Sequence, residues 1–158
     1  MWASSGQRGE EILQGDFVKQ GIGGIGHVGE KRIGQWMPLI VREAQRIYPT
    51  LAPSLRDKVC PGMRAFLARL RRCNVPCGLV TGNLSRIGWC KMGRAGLRNF
   101  FRFGAFAEMG PTRGALVGLA LARARREGWL KAATPVYLVG DHLNDIRAAR
   151  ENLSLIHI

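Results

Sequence analysis

Two stretches of this chain place oxygen-bearing side chains directly after short apolar runs. Leu79-Val80 leads into Thr81-Gly82-Asn83, and Tyr137-Leu138-Val139 leads through Gly140 into Asp141-His142-Leu143-Asn144-Asp145. A short apolar run reads as a buried strand, and in an open α/β sheet ligands bind at the carboxyl ends of the strands. The first stretch delivers a hydroxyl to that end. The second delivers two carboxylates four residues apart. Hard divalent cations take oxygen ligands, and Mg2+ is usually held by one or two carboxylates together with phosphate. Asp141 and Asp145 are therefore candidate metal ligands. Thr81, with the N–H groups that follow it at Gly82 and Asn83, is a candidate contact for phosphate oxygens.

The elements that must position these residues follow from the surrounding pattern. Ile33, Trp36, Met37, Ile40, Val41, Ala44 and Ile47 recur at helical spacing, and Tyr48-Pro49 predicts the end of that helix. The Trp and Met stripe reads as core packing. Pro61 to Arg72 reads as a helix with Pro61 in its first turn, where a missing N–H does no harm. Strands are predicted at 77–81, 101–106 and 136–139. Helices are predicted at 84–95, with Gly96 as its cap, at 113–127, with Thr112 as its N-cap, and from Asn144 to Glu151. Strands alternating with helices imply a parallel sheet covered on both faces.

At these residues the chain resembles the haloacid dehalogenase-like (HAD) hydrolases, and within them the phosphoglycolate-phosphatase-like branch. The resemblance runs from about Lys58 to about Asn152. It includes Val59-Cys60-Pro61-Gly62, then Gly78-Leu79-Val80-Thr81-Gly82-Asn83, which is similar to the family's second motif. It continues through Lys91-Met92-Gly93-Arg94-Ala95-Gly96-Leu97 and Phe100-Phe101. It closes on Gly140-Asp141-His142-Leu143-Asn144-Asp145-Ile146, similar to the fourth motif. The resemblance implies a Rossmann-like parallel sheet with helices on both faces, and the remnant of a helical cap before Asp57. It implies an Mg2+-dependent phosphatase of small phosphorylated metabolites, working through an aspartyl-phosphate. In that scheme Thr81 holds the transferring phosphoryl group and Asp141 binds Mg2+. Asp145 is a second ligand or orients a water. Arg113 supplies the cation of the third motif, with Lys91 as its rival. Arg32 and Arg42 of the cap are candidate substrate contacts.

The departure from the family is as informative as the match. The family's first motif is a strand ending in Asp-x-Asp, whose first aspartate is the nucleophile. This sequence has four aspartates, Asp16, Asp57, Asp141 and Asp145, and no two stand in that relation. The expectation is a fragment that keeps the second, third and fourth motifs, truncated at both ends. Residues 1–57 are then an N-terminal segment with a partial cap, 58–152 a partial core domain, and 153–158 a non-native tail. In the family the first-motif strand lies between the strands ending at Thr81 and Asp141. Without it those strands either pair directly or leave a gap, and the chain is expected to be poorly stable. Thr81 and Asp141 are still expected at one end of the sheet.

Composition bounds the remaining readings. The 158 residues carry 24 Lys and Arg against 11 Asp and Glu, a net charge of +13. Such a charge attracts polyanions. The arginines are dispersed over the polar faces of predicted helices, which argues against nucleic acid as the main partner. The alternative function is a non-catalytic polyanion- or protein-binding module on the same scaffold. Gly21-Ile22-Gly23-Gly24-Ile25-Gly26 has the spacing of a dinucleotide-binding turn, but Asp16-Phe17-Val18-Lys19-Gln20 before it is too polar for a buried strand. Cys60, Cys73, Cys77 and Cys90 form no Cys-x2-Cys knuckle and read as small buried thiols. No apolar run reaches the roughly 18 residues of a membrane helix, and residues 1–20 lack a signal-peptide layout, so a cytoplasmic location is expected.

Overall fold

The computed structural model describes residues 28–153, with side chains from Trp36 onward. Asp16, the 21–26 glycine loop and the tail at 154–158 lie outside the described residues, as does the side chain of Arg32. The elements are α1 (Val28–Leu51), α2 (Met63–Arg72), β1 (Gly78–Val80), α3 (Ser85–Arg94), β2 (Phe103–Ala105), α4 (Arg113–Arg126) and α5 (Leu143–Asn152). Single 3-10 turns lie at Arg56–Lys58, Arg98–Phe100 and Ala107–Met109. No helix among the described residues is long and apolar enough to cross a membrane.

β1 and β2 pair in parallel, with Gly78 opposite Phe103, Leu79 opposite Gly104 and Val80 opposite Ala105. α3 is their crossover. The two-residue period of a strand then decides which face each side chain takes. Leu79 packs with Leu67 of α2 and with Met92, Ala95 and Leu97 at the end of α3. Val80 packs on the other side, against Leu116 and Ala120 of α4 and against Val117, Leu121 and Ala148. Helices cover both faces, the α/β arrangement that the alternating pattern implies. Gly104 faces α3, where a Cβ would overlap the Phe106 ring and lie 3.0 Å from Trp89. Its missing side chain lets Trp89 and Phe106 meet edge to face, centroids 5.2 Å apart, against the strand.

The sheet is smaller than the sequence predicts. The segment at 136–139 carries the alternation of a strand: Val136 and Leu138 pack on Val117, Leu121 and Ala148, while Tyr137 is 73% and Val139 56% exposed. It forms no ladder, because among the described residues β1 and β2 pair only with each other. An apolar run selects which side chains turn inward. A strand also requires a neighbour for its N–H and C=O groups. Of the two outcomes expected, direct pairing or a gap, the described residues take the second.

Helix boundaries differ in instructive ways. α1 does not stop at Tyr48-Pro49: proline removes only its own N–H, and the Ala52 N–H still reaches the Tyr48 carbonyl at 2.9 Å. α2 starts at Met63, after Pro61-Gly62 make a turn in which Gly62 takes φ +80. The Trp36 and Met37 stripe is not core packing. Those side chains are 56% and 48% exposed, because α1 docks on α3 through its C-terminal half. There Gln45 Oε1 accepts from the Arg86 N–H at 3.2 Å, and the Arg94 guanidinium donates to the Pro49 carbonyl at 3.3 Å.

Candidate active site

Thr81, Gly82 and Asn83 lie just past the carboxyl end of β1, and hydrogen bonds tie that turn to the segment after β2. The Thr81 N–H donates to the Ala105 carbonyl at 3.0 Å, and the Ala107 N–H to the Asn83 carbonyl at 3.1 Å, so pairing persists one turn beyond the ladder. Glu108 then reaches back across the sheet end. Its carboxylate accepts from the Ser85 N–H at 3.0 and 3.2 Å. Leu84 at the start of α3 has no side chain able to cap, so Glu108 satisfies that helix terminus and places its charge at the positive end of the dipole. Partial burial pushes the Glu108 carboxyl up, but the hydrogen bonds with Ser85 outweigh it and hold it below the ordinary carboxylate value. Thr112 caps α4 by accepting from the Ala115 N–H at 3.1 Å, a contact worth about 1 kcal/mol in helix N-caps generally.

Arg113 follows that cap, and its Nε lies 3.4 Å from Asp145 Oδ1. Asp145 belongs to the first turn of α5. Its other oxygen accepts from the His142 N–H at 3.3 Å, while His142 Nδ1 accepts from the Asn144 N–H at 3.1 Å. The two residues form a reciprocal cap for α5. His142, not Asp141, is therefore the N-cap. Asp141 is exposed, and its carboxylate makes no hydrogen bond or ion pair among the described residues. Asp141 directly precedes that cap.

At the tip of β1, Thr81 Oγ1 accepts twice, from the Asn83 N–H at 3.2 Å and from Asn83 Nδ2 at 2.8 Å. Asn83 Oδ1 in turn accepts from Lys91 Nζ at 2.8 Å. Lysine offers only donors, which fixes the carboxamide: oxygen toward Lys91, nitrogen toward Thr81. With both acceptor positions of its oxygen filled, Thr81 is left to donate its own proton outward. Gly82 is exposed, with nothing within 4 Å of a would-be Cβ, so the turn between Thr81 and Asn83 is open to a ligand. Behind Lys91, the Tyr48 ring of α1 lies 5.8 Å from the ammonium. Burial pushes the Tyr48 phenol up, with a smaller contribution from Cys90.

Hydrogen bonds thus join Thr81, Asn83 and Lys91 around the exposed turn past β1, and an ion pair joins Arg113 to Asp145 at the starts of α4 and α5. Arg42 is exposed on α1. Lys91, the rival of Arg113 as candidate cation, reaches Asn83 from α3, and Gly88 on the same helix lies beside Thr81, where a Cβ would be 3.4 Å from the threonine methyl. Glu108 with Ser85 and Tyr48 with Lys91 leave no local signal, because they join separate elements.

Mg2+ can be tested against this donor set. Asp141 is a hard, exposed, uncommitted oxygen ligand of the kind Mg2+ takes, and Asp145 adds a second carboxylate that Arg113 and the helix cap already engage. No group of three or more potential ligands occurs among the described residues. The set fits an ion held by one protein carboxylate and completed by phosphate and water.

The model of the haloacid dehalogenase-like hydrolase family matches residues 32–150, which run from the first turns of α1 into the last turn of α5. No curated protein matches the chain.

Proposed function

The chain belongs to the haloacid dehalogenase-like hydrolase family, and from that premise we propose that the end of its sheet is a phosphoryl seat for small phosphorylated metabolites. The observation that carries the reading is the hydrogen-bond order at Thr81. Asn83 fills both acceptor positions of the hydroxyl, so the proton points to a ligand, and the Lys91 charge backs the same carboxamide. A phosphoryl oxygen accepts from that hydroxyl and from the N–H groups of the open turn at Gly82. Of the two candidate cations, Lys91 is joined to Thr81 through Asn83 and is the better-placed charge for the seat, while Arg113, 3.4 Å from Asp145, orients the carboxylate pair. Asp141, with Asp145 beside it, would hold Mg2+, which supplies positive charge to phosphate oxygens when bound.

In this reading the described residues form the binding half of a phosphatase site. Attack on phosphorus requires a nucleophile, and the sequence contains no Asp-x-Asp to provide one. The chain as given binds the phosphoryl group and does not turn it over.

The test is the affinity for inorganic phosphate. Thr81→Val keeps the shape of the side chain and removes the donor. A hydrogen bond to a charged group contributes about 1.5–3 kcal/mol, so binding is expected to weaken about tenfold or more. An unchanged dissociation constant would contradict the assignment.

A further inference from the structure

Lys91 meets two different parts of the fold. Asn83 Oδ1, at the strand tip, accepts from its ammonium at 2.8 Å, and the Tyr48 ring centroid lies 5.8 Å from Nζ. Lys91 lies on α3, whereas Tyr48 belongs to the last turns of α1. That end of α1 is docked on α3 at two further points, Gln45 to the Arg86 N–H and the Pro49 carbonyl to Arg94. A lysine carries four rotatable bonds, so an ammonium held at one point only samples many positions. A ring face beside the ammonium narrows that choice further, because the negative face of the aromatic quadrupole attracts the cation. Tyr48 is half-buried, and its ring is therefore confined as well.

We propose that Tyr48 is a positioning residue for the phosphoryl seat: helix α1, by seating its aromatic ring against Lys91, fixes the charge that the seat presents, so that anion affinity depends on the docking of α1. This rests on the reading of the strand tip as a phosphoryl seat. It adds that helix α1 controls the seat through one side chain that does not touch the anion. The geometry gives α1 a direct line to the site: Tyr48 to Lys91, Lys91 to Asn83, Asn83 to Thr81.

The experiment is a titration of the full chain with inorganic phosphate, followed at the backbone N–H resonances of Thr81 and Gly82. Four variants are compared with the parent chain: Lys91→Met, Tyr48→Leu, Tyr48→Phe and Tyr48→Trp. Exposed cation–π contacts convert to a change in affinity of about two- to fivefold, which is the loss expected for Tyr48→Leu. Tyr48→Phe keeps the ring face and is expected to bind as the parent does. Tyr48→Trp offers the better ring and is expected to bind at least as tightly, which keeps the test informative if Tyr48→Leu loosens α1. Parent-like binding by Tyr48→Leu, alongside weakened binding by Lys91→Met, would overturn the positioning role and leave the seat standing. Equal losses in Tyr48→Leu and Tyr48→Phe, or weaker binding by Tyr48→Trp, would also overturn it. Parent-like binding by Lys91→Met would overturn the choice of Lys91 as the cation of the seat itself.

Discussion

Incubated with Mg2+ and a generic aryl phosphate, the purified chain is expected to release phenol no faster than buffer alone. The family's chemistry divides phosphate hydrolysis into two easier steps by passing the phosphoryl group through a carboxylate. Removing a nucleophile costs on the order of a millionfold in turnover in enzymes where it has been measured, and what remains is binding and charge stabilisation. Here Thr81 stands past the end of β1 and Arg113 pairs with Asp145 at the start of α5, yet no two of the four aspartates stand as Asp-x-Asp. In the proposed reading Asp141 holds Mg2+ and does not act as the nucleophile. The rate is measured with the parent chain and with Asp141→Asn. Turnover that Asp141→Asn abolishes would contradict the account, because it would mean that a nucleophile is present and works with that carboxylate.

The second large effect is on stability. Phe106→Ala is expected to cost about 3–5 kcal/mol, the range for truncating a buried aromatic. Phe106 is only 2% exposed and is the largest fully buried side chain of the described residues. Its ring fills the space left by Gly104 and by Gly88 of α3, where a Cβ would lie 2.9 Å away, and it meets Trp89 edge to face. Little relaxation can close such a cavity, because the strand backbone on one side is held in the β1–β2 ladder. A whole domain retains only about 5–15 kcal/mol of net stability. This one has a two-strand sheet and an unladdered 136–139 segment among its described residues. Thermal or urea unfolding of the variant is therefore expected to show little or no folded population at 25 °C. A midpoint within a few degrees of the parent chain would contradict the packing described here.

How much of this was legible in the sequence depends on how local each cause is. Thr112 as an N-cap, Gly96 past the end of α3 and the in-out alternation at 136–139 are set by neighbours a few residues away, and they read directly. The parallel pairing of β1 with β2 follows from strands joined by a helical crossover. The ladder at 136–139 was expected and is not there, since pairing depends on a neighbour in space and not on the apolar run itself. The exposure of Trp36 and Met37 escaped for the same reason: helical spacing defines a face, but what covers the face is a tertiary matter. At the site, the sequence singles out the hydroxyl and the carboxylates by their places after apolar runs, and it favours Arg113 over Lys91 as the cation. The proposed preference for Lys91 rests on Asn83 reaching α3, a contact made only when the helices are in place.

The central claim is that anion affinity resides at the tip of β1 and not in the overall charge of +13. The competing outcome is diffuse binding at the basic last turns of α2 and α4, which carry Arg69, Arg71 and Arg72, and Arg123, Arg125 and Arg126. The most direct measurement maps the backbone N–H shifts of the whole chain during a titration with inorganic phosphate at moderate salt. The account predicts saturable shifts at Thr81, Gly82 and Asn83. Shifts confined to the two arginine-rich helix ends, with the Thr81–Asn83 turn unmoved, would contradict it.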